Sequence, residues 1–295
     1  MKDERLQDSL VVASVSGGKD SAALSLWLTE QGLEHRRVFA DTGWEHNWTY
    51  EYLRGTLTEK LGPISEVQSK VGGMREWVAK KGMFPSRLNR YCTSELKVKP
   101  IQKFIESLQD EGYNIVNAVG IRAGESDARA KMSEWEWNDS FDCWTWRPLI
   151  DWNEEQVIAM HTKHGLRPNP LYLAGATRVG CWPCIFSRKS EVKLLSEISP
   201  ERIDVIRKME SEVHQAGIER YAKRGETFES LGYSPPTFFH SHSHAADKKG
   251  MMPIDEYVDW SKTSHGGRQY ELIDDAPEGC VRWGLCDSAK KDDEE

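Results

Sequence analysis

No run of 18 apolar residues occurs anywhere in this chain, so nothing in it reads as a membrane-spanning helix. Its first residues, Met1-Lys2-Asp3-Glu4-Arg5, are charged, where a secretory signal builds toward an apolar stretch. These two absences lead to the expectation of a cytoplasmic protein with no membrane partner. Basic residues are in the minority: 39 Lys and Arg stand against 47 Asp and Glu, for a net charge of −8. That balance argues against a general nucleic-acid coat, but leaves room for a local basic groove or for a nucleic-acid acceptor reached through a partner. There is no internal repeat. Cysteine is sparse, with six in 295 residues. In that compartment a disulfide framework is not expected, and metal or redox chemistry is the better reading. Tryptophan, by contrast, is plentiful: of 12, five (Trp135, Trp137, Trp144, Trp146 and Trp152) crowd into one short segment.

The first part of the chain alternates strand and helix signals. Short apolar runs at Leu10–Val15, Arg37–Ala40, Ile64–Val67 and Ile115–Val119 read as strands. Helical patterns lie between them at roughly 20–32, 46–61, 73–81 and 97–109, and another follows at about 153–165. Such alternation predicts an α/β fold, a parallel sheet with helices on both faces, whose ligands sit outside the carboxyl ends of the strands. Beyond Gly180 the character changes. Residues 187–224 are charged and helical, with Ser199-Pro200-Glu201 as a cap and first turn. Residues 234–253 read as irregular and 290–295 as an acidic tail. The expected organisation is a nucleotide-binding domain over 1–180 and a helical to irregular, cysteine-containing region over 181–295 that packs back on it.

Ser16-Gly17-Gly18-Lys19-Asp20-Ser21 directly follows the first strand and opens the first helix. Two glycines let backbone N–H groups turn toward an anion, the helix N-terminus adds a favourable dipole, and Ser and Lys supply further donors. The spacing lacks the four residues that the Walker pattern requires before Gly-Lys-Ser/Thr. The loop resembles instead the PP-loop of the adenine-nucleotide alpha-hydrolase superfamily, which holds the pyrophosphate of ATP or the sulfate end of an adenylyl sulfate. Four more segments extend that resemblance in the family's order. They are Asp41-Thr42-Gly43-Trp44-Glu45-His46, Cys92-Thr93-Ser94-Glu95-Leu96-Lys97 with Lys99-Pro100, Gly120-Ile121-Arg122-Ala123-Gly124-Glu125-Ser126 with Arg129, and Trp146-Arg147-Pro148-Leu149 with Trp152. Together they are similar to the group of PAPS reductases, sulfate adenylyltransferase small subunits and DNA-phosphorothioation proteins.

The resemblance implies roles for particular residues. Ser16, Gly17, Gly18, Lys19, Asp20 and Ser21 would grip phosphates, with Lys19, Asp20 and Arg122 taking part in catalysis. Asp41, Gly120 and Arg122 would flank the nucleotide. Asp41 ends a strand, where a carboxylate suits Mg²⁺ or a ribose hydroxyl, or else caps the next helix. Arg122 and Arg129 offer planar forks for phosphate or sulfate oxygens, or surface ion pairs. Lys97 and Lys99 add point charges, though a solvated helix face suits Lys99 equally. The tryptophan cluster suits either base stacking or a core.

Cys181-Trp182-Pro183-Cys184 has metal-ligand spacing, and Gly180 and Pro183 suit a knuckle. Cys280 and Cys286 form a second pair. In iron–sulfur members of the family, a cysteine placed like Cys92 joins a downstream Cys-x-x-Cys. Those reductases carry two adjacent cysteines at the first position, and here Tyr91 replaces one of them. Two ligand sets therefore compete: Cys92, Cys181, Cys184 and Cys286, or Cys181, Cys184, Cys280 and Cys286. A [4Fe–4S] cluster or a structural Zn²⁺ satisfies either. Cys143 reads as a buried thiol. His240, His242 and His244 alternate, which fits either a metal site or a polar loop.

Three functions follow. The first is an ATP pyrophosphatase that adenylates an acceptor for sulfur transfer, with a sulfur-donor protein as partner. The second is a reductase forming sulfite from PAPS or APS with a reductant protein; the C-terminal Glu-Cys-Gly segment of such enzymes is missing, and Cys286 is its nearest analogue. The third is a non-catalytic nucleotide-binding subunit of a larger complex. A homo-oligomer is compatible with all three.

Overall fold

The computed structural model of the chain describes residues 3–239, 251–263 and Trp283. Cys280, Cys286, His240, His242, His244 and the acidic tail lie outside the described residues. Six strands form one sheet: β1 (Ser9–Ser14), β2 (His35–Asp41), β3 (Ile64–Gln68), β4 (Asn114–Ala118), β5 (Trp135–Asn138) and β6 (Cys143–Trp146). Their order is β3-β2-β1-β4-β6-β5. All neighbours run parallel except the edge pair β5–β6. The register places Val11 of β1 between His35 of β2 and Val116 of β4. β1 is the central strand, and Val11, Val12 and Ala13 are buried in succession. A strand covered on both faces must be apolar throughout rather than alternating.

Helices cover both faces. α1 (Lys19–Glu30) leaves the β1 loop, and α2 (Asn47–Tyr52) continues through a π-helical turn, Leu53–Leu57, into α3 (Thr58–Leu61). α4 (Met74–Lys81) ends on Gly82 in the left-handed conformation, a C-terminal stop that suits glycine. α5 (Tyr91–Thr93) passes through a second π-turn, Ser94–Val98, into α6 (Lys99–Asp110). α7 (Asp127–Ala130) precedes the β5–β6 hairpin, and α8 (Glu154–Lys163) begins at an Asn153–Gln156 capping box. Side chains of α1 and α8 pack with Val11, Ala13 and Val116 on one face of the sheet. On the other face Ile105 and Leu108 of α6 meet Val12, Val38 and Ile115.

The remaining helices are α9 (Pro170–Leu173), α10 (Lys189–Ile198), α11 (Pro200–Ala222) and α12 (Ile254–Ser261). They do not build a core of their own. Val192, Leu195, Ile206, Met209 and Val213 pack with Trp44, Met74, Trp77, Phe84 and Leu96, which belong to the loops and helices beside the sheet. The buried carboxylate of Glu210 ties this unit together by accepting the amides of Phe238 (2.9 Å) and Ile254 (3.0 Å). Among the described residues, no helix is long and apolar enough to cross a membrane.

The tryptophan-rich segment forms the sheet edge rather than an open platform. Trp135 and Trp146 stack on each other at 4.9 Å, and Trp27 meets Trp146 edge-on at 5.5 Å. Cys143 is a buried thiol on the α6 face, its pKa pushed up to about 11 by burial.

Candidate nucleotide and cysteine sites

The loop from β1 to α1 is shaped by close packing around two glycines. Gly17 has φ +76°, and a Cβ there would lie 2.8 Å from Thr49 Cγ2, so both conformation and space call for glycine. Gly18 stands just before the first turn of α1. Neither the Gly17 nor the Gly18 amide has a partner among the described residues, and these are the groups an anion would take up. The side chain of Ser21 folds back under the loop, accepting from the Ser16 amide (3.1 Å) and donating to the Gly18 carbonyl (3.0 Å). Ser16 Oγ lies 3.4 Å from Ser21 Oγ.

Two buried cations flank this loop. Lys19 is 7% exposed, with Nζ 3.1 Å from Glu154 Oε1 and 3.8 Å from Asp20 Oδ2. Arg122, which follows β4, is also buried and its Nε donates to Asp20 Oδ1. Asp20 thus holds both cations in place with one carboxylate. Gly120 permits the approach: a Cβ there would lie 2.7 Å from the Asp20 carbonyl oxygen.

A second layer fixes the loop from behind. The Tyr172 hydroxyl accepts from the Lys19 amide (3.2 Å), and its ring lies 5.0 Å from Lys19 Nζ. His161 Nε2 lies 2.9 Å from the Lys19 carbonyl, which only an N–H on that nitrogen satisfies. Burial holds this imidazole below its usual pKa. Asn169 reaches the Gly17 carbonyl (3.3 Å) and Thr49 Oγ1 (3.2 Å). Trp283 packs against both His161 and Tyr172.

Asp41 sits at the carboxyl end of β2. Its Oδ1 accepts from the Gly43 amide (2.8 Å) and from the Tyr50 hydroxyl (2.6 Å), while Oδ2 has no hydrogen bond among the described residues. The same carboxylate can therefore hold the turn and still face outward with one oxygen.

The cysteine knuckle docks on the adjoining turn. Glu45 and Cys181 form an antiparallel bridge, and the Trp182 amide donates to the Trp44 carbonyl (2.7 Å). The Trp44 indole donates to the Pro183 carbonyl (3.0 Å). Cys92, Cys181 and Cys184 all pack against the same core cluster. Cys184 is close enough to act electrostatically on each of the other two thiols. Burial raises the pKa of Cys92, and raises that of Cys181 to about 11 even though Lys97 pulls it down. Lys97 is raised in turn, first by Cys181, against the effect of its own burial. Among the described residues, no three His, Cys, Asp or Glu side chains are arranged to hold a metal. The chemistry of the donors nevertheless suits one: three neighbouring thiols with an ammonium as countercharge, and Cys280 and Cys286 outside the described residues.

Residues 10–187 match the phosphoadenosine phosphosulfate (PAPS) reductase domain. The chain belongs to the PAPS reductase family. It is 31% identical to an uncharacterized 37.8 kDa protein of Escherichia phage 186, over 90% of this chain and 92% of that protein. It is 25% identical to the adenosine 5'-phosphosulfate reductase of Allochromatium vinosum, over 60% of this chain and 68% of the relative. A solved PAPS reductase from Candida auris, in complex with phosphate, aligns with a TM-score of 0.46 at 22% identity, covering 59% of this chain and 82% of that one.

Other residues of the PAPS reductase segments take local partners. Arg129 is half-buried and pairs with Glu125 one turn away. Lys99 is exposed and pairs with Glu95 at 2.7 Å. Arg147 is buried, bonded to the Ser133 carbonyl (2.9 Å) and to Glu136 (2.5 Å). Ser199 heads α11 as its sequence suggests, yet its hydroxyl does not cap the helix. It accepts from the Trp182 indole (3.1 Å) and from His46 Nε2 (3.0 Å), whose other nitrogen accepts the Trp48 amide. Glu154, His161, Asn169 and Tyr172 carry no motif signal in the sequence, and only the fold brings them to the cradle. A cavity of about 700 Å³ opens at the opposite, amino edge of the sheet, between Ser9, Asn114 and Trp137, and shares no residue with the cradle.

Proposed function

We propose that this PAPS reductase-family chain is an ATP pyrophosphatase-type enzyme that adenylates an acceptor for sulfur transfer. The observation that carries the reading is the β1–α1 loop, with two amides at a helix N-terminus that have no partner among the described residues and two buried cations, Lys19 and Arg122, beside it. An acceptor oxygen attacks the α-phosphorus of ATP, the bond from that phosphorus to the bridging oxygen breaks, and pyrophosphate leaves with the electron pair. Gly17 and Gly18 amides and the Ser16 hydroxyl hold the departing group, and the Ser21 hydroxyl, spent on the Gly18 carbonyl, braces the loop beneath them. Lys19 and Arg122 neutralise charge that grows on it, which is where preorganised donors contribute most. Asp20 orients both cations, Gly120 lets the β4 loop close on them, and Asp41 offers its outward oxygen to Mg²⁺ or a ribose hydroxyl.

A sulfur donor then displaces AMP from the activated acceptor. Cys92, Cys181 and Cys184, with Cys286 or Cys280 as the fourth, would hold a [4Fe–4S] cluster, or Zn²⁺ in its place. A bound cluster would supply sulfur or electron chemistry beside the nucleotide. Lys97 keeps positive charge against those thiolates, and the Trp44–Pro183 and Trp182–Trp44 bonds keep the knuckle on the nucleotide side of the sheet.

Reduction of PAPS or APS to sulfite is the second reading, supported by the family and by the Allochromatium relative's own activity. Anaerobic incubation with ATP, and separately with PAPS or APS and a dithiol, distinguishes the two by ion exchange. AMP and pyrophosphate from ATP are expected. Sulfite with the matching adenosine phosphate instead would make the chain a reductase. Tight ATP binding with neither product would make it a nucleotide-binding subunit. Metal and sulfide analysis of anaerobically purified protein tests the cluster, and stoichiometric zinc would remove it.

A further inference from the structure

Between the cradle and the cysteines lies a second carboxylate, Glu45, which is 3% exposed. Its oxygens accept from the Thr42 hydroxyl (2.7 Å), the Thr42 and Trp44 amides (3.3 Å each) and the Tyr50 hydroxyl (3.0 Å). That same Tyr50 hydroxyl lies 2.6 Å from Asp41 Oδ1. A phenol has one proton, and here it faces two carboxylate acceptors. It donates fully to one only by giving up the other. Burial, and next the charge of Glu45, hold the phenol well above its usual pKa, so the proton stays on the ring oxygen and only its direction is free.

On its far side Glu45 reaches the thiols. The Thr42 hydroxyl that donates to it is 3.7 Å from Cys181 Sγ. Its own backbone forms the bridge to Cys181. A continuous line of contacts therefore runs from Asp41 through Tyr50, Glu45 and Thr42 to Cys181.

We propose that Glu45 is a positioning residue that couples the nucleotide end of β2 to the cysteine site, by exchanging the Tyr50 hydroxyl with Asp41. When a ligand draws on Asp41, the hydroxyl turns to Glu45. A carboxylate that gains that donor draws less on the Thr42 hydroxyl, which is released to turn toward Cys181 Sγ. Without such a ligand Asp41 keeps the hydroxyl, and Glu45 holds the Thr42 hydroxyl more tightly. The coupling rests on the reading above that Asp41 faces the nucleotide.

The test uses the full chain, freed of metal and shown to be so by metal and sulfide analysis, so that all three thiols are open to reagent. Maleimide labelling of Cys92, Cys181 and Cys184 is followed peptide by peptide by mass spectrometry, with and without ATP, and ATP affinity is measured alongside by equilibrium dialysis. ATP is expected to change the labelling rate of these thiols by about fivefold or more in the wild type, the scale of a typical coupling. Tyr50→Phe, which removes the shared proton and keeps the ring, is expected to lose that response while still binding ATP. Glu45→Gln is expected to behave likewise. Cys143, buried on the α6 face, serves as the control and is expected not to respond. A full response in Tyr50→Phe, or none in a wild type that binds ATP, overturns the coupling. A wild type that binds no ATP overturns the nucleotide reading beneath it.

Discussion

Lys19 is the residue on which the cradle turns, and its surroundings separate binding from stability. Its ammonium is buried, but the partner carboxylates Glu154 and Asp20 keep 31% and 15% of their side-chain surface in contact with solvent. Deleting the ammonium leaves those carboxylates hydrated rather than stranded, so Lys19→Ala should cost little stability. ATP affinity is expected to fall at least about tenfold, since a charge-assisted contact contributes roughly 1.5–3 kcal/mol. Urea unfolding checks the first point and equilibrium dialysis the second; a collapsed unfolding midpoint would make Lys19 structural. Gly120 shows the opposite balance. A Cβ would meet the Asp20 carbonyl at 2.7 Å and Ser21 Cα at 3.1 Å, backbone atoms that cannot swing aside. Gly120→Ala should destabilise the fold by about 1–3 kcal/mol and weaken ATP binding as α1 shifts, both read from the same two assays. The sequence exposed the cradle because its chemistry is contiguous, Ser16 through Ser21. It gave no sign of Tyr172, His161 or Glu154, whose roles come from the α8 and α9 segments returning to the loop.

At the scale of elements, periodic helices and fully apolar strands were legible, and the half-exposed hairpin was not. β1 to β4 lie within a residue or two of their apolar runs, because a buried parallel strand writes a continuous apolar signal. β5 and β6 are four residues each and alternate Trp with polar residues, a pattern that equally fits an aromatic binding face. α12 was also missed, being short and anchored chiefly by tertiary contacts of Ile254, Tyr257 and Val258. The edge hairpin yields a pair of contrasting substitutions. Trp146 is buried and stacked on Trp135, so Trp146→Ala should cost about 3–5 kcal/mol. Trp137 is 46% exposed, and Trp137→Ala should stay within about 0.5 kcal/mol. ATP affinity unchanged in Trp137→Ala is also expected; a large loss there would return this hairpin to nucleobase stacking.

For the molecule as a whole, buried titratable groups set the response to acid. His35, His46 and His161 are all buried, and burial holds each below its ordinary value of 6.5. Unfolding lets each take up a proton at a pH where the folded state refuses it. Their contribution is therefore complete above about pH 6.5 and is lost as pH falls toward the folded values. Glu210 acts in the other direction, since burial raises its pKa and ionisation is what the fold disfavours. Three groups against one predict a urea midpoint that drops between pH 7.5 and pH 5.5; a flat or rising midpoint would count against these burials.

The bridge between Glu45 and Cys181 has a further meaning when the chain is followed in the order of its making. A chain synthesised at about 5–20 residues per second exposes Thr42, Trp44 and Glu45 many seconds before Cys181, Pro183 and Ser199 exist to cover them. The cradle waits as well, for Glu154, His161, Asn169 and Tyr172. Neither site has a rehearsal in the nascent chain. A ribosome halted midway would carry a loop that looks ready for nucleotide yet lacks its backing, and a tryptophan-lined surface open to chaperones. Both sites come into being only after the chain has passed its midpoint, the cradle once Tyr172 is made and the cysteine site once Ser199 is.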